Sequence, residues 1–257
     1  GHSHVNVVDA IAQSCDVFFY DLAFKLGIDK IHDSLAFFQF GKKTGIDLSG
    51  ELGGILPSRE WKKNNKDEPW YRGETLITGI GQGFMTASPI QLALATAAIA
   101  NKGQLLKPKV MMHSQSKEGE ILLEQQKDAL QIPIKDINNW ELVIEGMKQT
   151  IYGKSGTAKR LNNKLNYTLA GKTGTAQVFG LDPEEEYIAE NIDERLRDHA
   201  LFTGFAPINN PQVAIAIIVE NAGSGSSKAA PLARELLDEY FNKNPIELEK
   251  EENIQSY

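Results

Sequence analysis

The sequence contains a single cysteine, Cys15, in 257 residues. One cysteine excludes an internal disulfide framework and a zinc cluster built only from thiolates. No apolar run approaches the roughly 20 residues that a membrane-spanning helix requires. Acidic residues outnumber basic ones, 34 against 27, so the net charge is −7. Because a nucleic-acid-binding surface needs clustered positive charge, we do not expect a nucleic-acid partner.

Hydrophobic residues make up 41% of the chain, which is enough for a sizeable folded core. Apolar spacing and helix-end signals predict helices over 5–14, 17–26, 28–40, 89–101, 136–150 and 229–241. Strands are expected over 105–113, 119–124, 165–170, 199–206 and 212–220, with an irregular segment at 44–65. Sequential strands after a mainly helical first half indicate an α+β fold.

The final apolar strand, 212–220, is hydrophobic on both faces, so we place it inside a sheet that is covered on both sides. Residues 181–197 form a charged excursion. We assign 1–241 to one domain and 242–257 to a charged tail.

Two segments carry the same Lys-hydroxyl-Gly-Thr pattern. In the first, Lys172, Thr173, Gly174 and Thr175 offer an ammonium group, two hydroxyl donors and a glycine that permits close backbone approach, which suits a carboxylate ligand. The alternative is an ordinary turn. The second, 154–158, has no strand pattern on either side and is interpreted as a loop.

A second candidate, Ser14-Cys15-Asp16, falls at a break between two predicted helices. A serine at such a break can present its hydroxyl to a cleft, with the aspartate beside it. Serine and aspartate are also common helix N-caps, so a structural role is the alternative interpretation.

Other motifs carry less weight. The segment 79–84 lacks the spacing of a dinucleotide-binding loop and is predicted to be a tight turn. Ser114 and Lys117 form a Ser-x-x-Lys pair, but a polar hairpin turn would not desolvate the lysine, so we reject it as catalytic.

His199 is interpreted as structural. His2 and Cys15 supply only half of a zinc site, which needs about four ligands.

Taken together, several segments resemble the transpeptidase domain of class B penicillin-binding proteins, and in particular the elongation-specific penicillin-binding protein 2 group. The segments that carry the resemblance are 10–16, 79–83, 88–93, 100–103, 170–178, 198–202 and 205–207. The resemblance implies a penicillin-binding, serine β-lactamase-like fold, with an antiparallel sheet flanked by helices and with its N-terminal part outside this chain.

The family has three catalytic motifs, Ser-x-x-Lys, Ser-x-Asn or Ser-x-Asp, and Lys-Thr/Ser-Gly. The second matches Ser14-Cys15-Asp16 and the third matches Lys172-Thr173-Gly174, whereas the nucleophilic first motif is expected upstream of this chain. By resemblance, Ser14 relays protons, Asp16 orients the network and Lys172 keeps the site positive. Thr173, Gly174 and Thr175 bind the substrate, and the Thr175 N–H is an oxyanion donor.

The resemblance also implies partners and a location. Expected ligands are peptidoglycan stem peptides and β-lactams, and the expected protein partner is the membrane glycan polymerase of the elongation machinery. The expected location is the periplasmic face of the bacterial inner membrane. No cofactor is required, but some members of the group hold a structural zinc whose last two ligands match His2 and Cys15.

Three hypotheses follow. The first is a peptidoglycan transpeptidase fragment that no β-lactam acylates, because it lacks the nucleophile. The second is a related penicillin-recognising protein, such as a sensor domain, a β-lactamase or a carboxypeptidase. The third is a non-catalytic binding module of another class, in which the Lys172 strand only holds the carboxylate of a β-lactam or a peptide. We also expect poor solubility of the isolated chain, because the strand over 212–220 loses cover without the upstream segment.

Overall fold

The computed structural model describes residues 2, 4–116, 121–122, 129–178 and 192–245. Its helices are α1 (Val7–Ala12), α2 (Asp16–Ala36), α3 (Arg59–Lys66), α4 (Arg72–Gly79), α5 (Pro89–Ala100), α6 (Asn138–Tyr152) and α7 (Ala229–Lys243). Its strands are β1 (Gln104–Leu105), β2 (Ser114–Gln115), β3 (Ile121–Leu122), β4 (Leu130–Gln131), β5 (Ala170–Ala176), β6 (His199–Ala206) and β7 (Val213–Val219).

The main sheet is antiparallel, with the strand order β5-β6-β7. The predicted hairpin of β6 and β7 is confirmed, and Ala200 pairs with Val219 while Ala206 pairs with Val213. The prediction of a strand over 165–170 is wrong, because β5 begins at Ala170 and contains the Lys172 motif within it. The motif therefore lies on a paired strand, where Lys172 is opposite Thr203.

Helices cover both faces of this sheet, which confirms the α+β fold. Phe202 and Phe205 are fully buried and belong to different clusters. Phe202 packs with Leu237 of α7, whereas Phe205 packs with Met147 of α6. Because side chains alternate along a strand, residues three apart lie on opposite faces. The site on β5 is thus carried by a strand whose sheet is packed from both sides.

Strand β7 has helix cover on both faces, as its all-apolar sequence predicted. Val213, Ile215 and Val219 pack against the α7 side, and Ala214 packs against the other side with α5 and α6 nearby. Both faces of the strand thus have helix contacts, although every residue of β7 stays partly exposed. In the part of the chain that the structure describes, it is the outer edge of β7 that lacks a strand partner.

Several helix ends were predicted correctly, but the helix expected over 28–40 ends at Ala36. Ser88 caps α5 in a capping box with Gln91, and Pro89 takes the first helical position. Within α2 the backbone leaves helical geometry at Gly27, where φ is 76° and ψ is 161°, so the predicted break occurs there. The predicted helix over 136–150 is α6, which buries Trp140, Ile144 and Met147.

Two helices were missed between 58 and 80. Helix α3 overlaps the segment 44–65, which was predicted to be irregular, and α4 lies where no element was predicted. The α3 sequence is almost wholly polar, so no apolar periodicity marks it. It is held instead by Lys62, which is 1% exposed and forms salt bridges to Glu74 and Glu68.

The expected strand over 105–113 is largely wrong, whereas the described residues of the one expected over 119–124, Ile121 and Leu122, do form a strand. Only Gln104–Leu105 of the first region is a strand with β4, and Ser114–Gln115 pairs with Ile121–Leu122. The backbone N–H groups of Val110 and Met111 instead donate to the Asp47 carboxylate, 2.7 Å each. A side chain thus satisfies donors that a strand ladder would otherwise use.

Some predictions fall outside the described residues. These include most of the charged excursion, 179–191, and the tail from 246 onward. Helix α7 continues to Lys243, two residues beyond the expected domain end, and the boundary itself stays a prediction. No helix in the described ranges is both long and apolar enough to cross a bilayer.

The open edge of β7 predicts self-association of the isolated chain, because unpaired N–H and C=O groups on an apolar strand recruit other strands. We expect light scattering after size exclusion to show aggregates or oligomers at micromolar concentration. A monodisperse monomer that unfolds in one sharp, cooperative transition would contradict this expectation.

Candidate active site

A cleft of about 680 Å³ lies along the edge of β5. One wall comes from the turn between α1 and α2, with Ser14 and Asp16, and from the aromatic rings of Phe19 and Tyr20. The other wall is β5 from Lys172 to Thr175, together with Gln177 just after the strand, and the ends are formed by the turn after α4 and by the loop 224–226. Both motifs selected from the sequence therefore meet in one cavity.

Ser14 and Lys172 are in direct contact although 158 residues separate them. The Lys172 Nζ donates to the Ser14 Oγ at 2.9 Å and to the Thr173 carbonyl oxygen at 2.8 Å. The hydrogen bond to the Thr173 carbonyl, on the same strand, holds the ammonium group in position to contact Ser14. Such a pair can pass a proton between a hydroxyl and an amine.

Ser14 has a left-handed backbone, with φ of 53°. The Ser14 N–H bonds the Ile11 carbonyl at 3.2 Å, and the Cys15 N–H bonds the Ala10 carbonyl at 2.9 Å. This pair of bonds is the Schellman motif that ends a helix, and its left-handed position is usually glycine. A serine there costs conformational energy, so the backbone stores strain where the hydroxyl is presented.

Burial lowers the pKa of Lys172 to about 8, while the negative charge of Asp16 acts in the opposite direction. A minority of the Lys172 side chains is therefore neutral close to pH 7. A lysine whose pKa lies near 8 can either carry a positive charge or accept a proton close to neutral pH. Asp16 lies exposed at the start of α2, on the same wall as Ser14.

The Thr173 hydroxyl bonds the Thr157 hydroxyl, with 2.8 Å between the oxygens. Thr157 belongs to the competing segment 154–158, which is a turn as predicted, yet its side chain lines the cleft. Its N–H also donates to the Ala12 carbonyl at 3.2 Å, which joins this turn to α1. Sequence reasoning missed Thr157, since nothing local shows that the turn reaches the cleft.

Gln82 is a second residue that the sequence did not reveal. Gly81 and Gly83 on either side have φ of 78° and 77°, so the predicted tight turn is confirmed. The Gln82 Nε2 donates to the Thr175 carbonyl at 2.7 Å, and its Oε1 accepts from the Gln177 N–H at 3.3 Å. The alternation of glycines was the available signal, because positive φ on both sides of Gln82 forms a tight turn.

The loop 223–227 closes the far end of the cleft with Ser224 and Ser226. A Cβ on Gly225 would lie 2.3 Å from the carbonyl oxygens of Gly174 and Leu201, so only glycine fits there. Gly174, predicted to bind substrate, is thus a strand residue in close contact with this loop. Asp198 also lines the cleft, and burial raises the pKa of its carboxyl while a hydrogen bond from the Val178 backbone opposes that shift.

Other candidates lie apart from this arrangement. The His199 Nδ1 accepts from the Asn221 N–H at 2.9 Å, which fits the structural role expected for it. Ser114 lies in β2 and does not line the cleft, and Lys117 is outside the described residues.

The zinc expectation stays a prediction. Cys15 is 4% exposed in the turn before α2, and His2 is exposed. Across the described ranges, no three His, Cys, Asp or Glu side chains form a metal-binding group. A zinc here would need further ligands beyond His2 and Cys15.

Comparison with known proteins agrees with this geometry. Residues 1–238 match the penicillin binding protein transpeptidase domain, and the chain belongs to that family. It is 40% identical over 255 residues to the peptidoglycan D,D-transpeptidase MrdA of Haemophilus influenzae, covering 97% of this chain and 38% of that protein. The chain therefore spans about two fifths of the length of this curated relative.

Solved structures show the same fold. A Pseudomonas aeruginosa PBP2 in complex with WCK 5153 has a TM-score of 0.81 and 43% identity, covering 94% of this chain and 50% of that one. A Helicobacter pylori PBP2 in complex with MreC has a TM-score of 0.80 and 30% identity, covering 95% and 41%. The chain is thus a PBP2-type transpeptidase fragment, as the sequence motifs indicated.

The Lys172 environment predicts a measurable titration. Because the fold lowers the pKa from 10.5 to about 8, the native state releases this proton before the unfolded chain does. Burying the charged Lys172 therefore lowers the free energy of unfolding fully below pH 8. This destabilisation decreases as the pH rises toward 10.5, the pKa in the unfolded chain. We expect the amine-selective labelling of Lys172 to have its midpoint near pH 8. Replacing Asp16 with asparagine should lower that midpoint, since its charge favours the ammonium.

Asp21→Asn serves as the control, because Asp21 is exposed on the same helix and pairs with Lys25. It should leave the midpoint unchanged. An unshifted midpoint in Asp16→Asn, or a midpoint above pH 10 in the unsubstituted protein, would show that the coupling is wrong.

The left-handed Ser14 predicts a stability difference between two variants. Ser14→Gly and Ser14→Ala both remove the hydroxyl, but only glycine relieves the backbone strain. We expect Ser14→Gly to be more stable than Ser14→Ala by about 1 kcal/mol. Thermal unfolding of the two variants in the full-length product of the gene measures this, and equal stability would rule out stored strain at Ser14.

Proposed function

We propose that this cleft is part of the active site of a serine-type peptidoglycan D,D-transpeptidase that cross-links stem peptides during cell-wall elongation. The observation that carries the proposal is the 2.9 Å hydrogen bond from the Lys172 Nζ to the Ser14 Oγ. It joins two of the three family motifs in one cleft. The family membership of the chain supports the reaction class.

The nucleophile is proposed to come from a Ser-x-x-Lys segment outside this chain. The one such pair in the printed sequence begins at Ser114, which does not line the cleft. The serine attacks the penultimate D-Ala carbonyl of a stem peptide, and the terminal D-Ala leaves with a proton. An amine of a neighbouring stem then attacks the acyl-enzyme, loses a proton and releases the serine.

The residues of this chain have defined roles in that scheme. Ser14 relays the proton between the nucleophile and the leaving amine. Lys172 either stabilises the deprotonated Ser14 hydroxyl or accepts the proton itself. Asp16 favours the charged state of Lys172. The hydroxyls of Thr173 and Thr175 bind the substrate carboxylate, and the Thr175 N–H stabilises the oxyanion.

β-Lactams are proposed to occupy the same cleft, with their carboxylate at Thr173 and Thr175. We further propose a periplasmic location on the inner membrane and a membrane glycan polymerase as partner. The H. pylori relative was solved in complex with MreC, which supports assembly with other proteins. A structural zinc at His2 and Cys15 belongs to the same proposal, and no step of the reaction depends on it.

Acylation by a labelled penicillin tests this function. In the full-length product of the gene, we expect one covalent adduct, on a serine upstream of Ser14. Ser14→Ala and Lys172→Ala should each lower the acylation rate about 100-fold or more, as for loss of a proton-transfer group. The isolated 257-residue chain should carry no adduct.

Lys154→Ala provides the matched control, because Lys154 holds the first position of the competing motif and is exposed. It should leave acylation unchanged. An adduct on Ser114 would place the nucleophile outside this cleft and contradict the proposal. Saturable binding with no adduct on the full-length protein would reject the transpeptidase and favour a non-catalytic binding module.

A further inference from the structure

The outer edge of β5 is the backbone surface that faces the cleft. Over Ala170–Ala176 the strand pairs with β6 on its inner edge. Within the described ranges no strand pairs with the other edge. In a strand, the N–H and C=O of one residue point to the same edge, and successive residues alternate. An extended peptide can therefore bind this edge as an added strand.

Contacts of β5 identify which residues face outward. Gln82 bonds the Thr175 carbonyl and the Gln177 N–H, so residues 175 and 177 point to the outer edge. By alternation residue 173 does too, and its carbonyl accepts from Lys172. Residues 174 and 176 then point to β6, where they pair with Leu201 and His199.

The amide of Gln82 thus bonds β5 as a neighbouring strand would. It donates at 2.7 Å to one outward carbonyl and accepts at 3.3 Å from the outward N–H two residues later. It is half-buried, and its turn is set by the flanking glycines. Two bonds to residues on either side of Ala176 restrict rotation of the backbone between them.

We propose that Gln82 is a positioning residue with two effects, an inference that rests on the proposed function. It anchors Thr175 through its carbonyl, which fixes the direction of the Thr175 N–H toward the reacting carbonyl. It also closes the edge of β5 beyond Thr175, so an extended substrate pairs with the strand only up to that residue. Gln82 touches neither the reacting atoms nor the nucleophile and acts through Thr175.

The test compares acylation and binding in the full-length product of the gene. With a labelled penicillin, Gln82→Ala should lower the first-order acylation rate about tenfold, because the oxyanion donor is less well oriented. The dissociation constant of the non-covalent complex should stay within about twofold, since the carboxylate contacts remain. A purely structural role would not separate these two constants.

Gln82→Glu is the second variant, because it keeps the length and the acceptor but loses the donor to Thr175. Gln82→Glu should slow acylation at least as much as Gln82→Ala. If Gln82→Ala lowers Tm, the Gln82→Glu variant tests the positioning role instead. Gln131→Ala is the matched control. The Gln131 amide also donates to a backbone carbonyl, that of Lys102 at 3.3 Å, but it does not line the cleft.

The possible outcomes distinguish failure of the proposed function from failure of the role proposed for Gln82. If the unsubstituted protein is not acylated, the proposed function fails. If it is acylated and both Gln82 variants match its rate, or if they weaken binding without slowing acylation, the positioning role of Gln82 is wrong while the function stands.

Discussion

The hydrogen bond between the Lys172 Nζ and the Ser14 Oγ is the interaction on which the site depends. It joins the turn after α1 to the edge of the sheet across the cleft. Burial keeps the pKa of the amine near 8, so the lysine can exist in both protonation states close to neutral pH. A fully hydrated lysine would remain charged and could not accept a proton there.

The surrounding scaffold fixes both ends of this bond. Strand β5 is paired with β6 along its length, and the sheet is packed between α7 on one face and α5 and α6 on the other. Helix α1 packs on α6, and the Thr157 turn bonds α1 through Ala12. The serine and the lysine are thus carried by elements that share one core, which preorganises the pair.

Whether a helix or strand could be predicted from the sequence depended on how clear its local sequence pattern is. The caps of α5 and the hairpin of β6 and β7 carry explicit sequence signals, and they were predicted correctly. Helix α3 carries the Ser58 N-cap but no apolar periodicity, and it is held by a buried lysine that pairs with two carboxylates beyond the helix. Apolar periodicity does not reveal such ion pairs.

The same limit applies to the site. Ser14 and Lys172 belong to short motifs and were found from the sequence. Thr157 and Gln82 reach the cleft only because the fold brings a turn and a glycine-flanked loop to β5, 16 and 93 residues away along the chain. Their contacts are with a neighbouring hydroxyl and with the strand backbone. The glycines beside Gln82 mark its turn but do not show which strand the turn reaches.

The most direct test of the account is a crystal structure of the full-length product of the gene after reaction with a penicillin. The account predicts that the acyl carbonyl oxygen lies about 3 Å from the Thr175 N–H, with the ligand carboxylate on the Thr173 and Thr175 hydroxyls. A covalent ligand bound outside this cleft, or one held there without contact to β5, would contradict it.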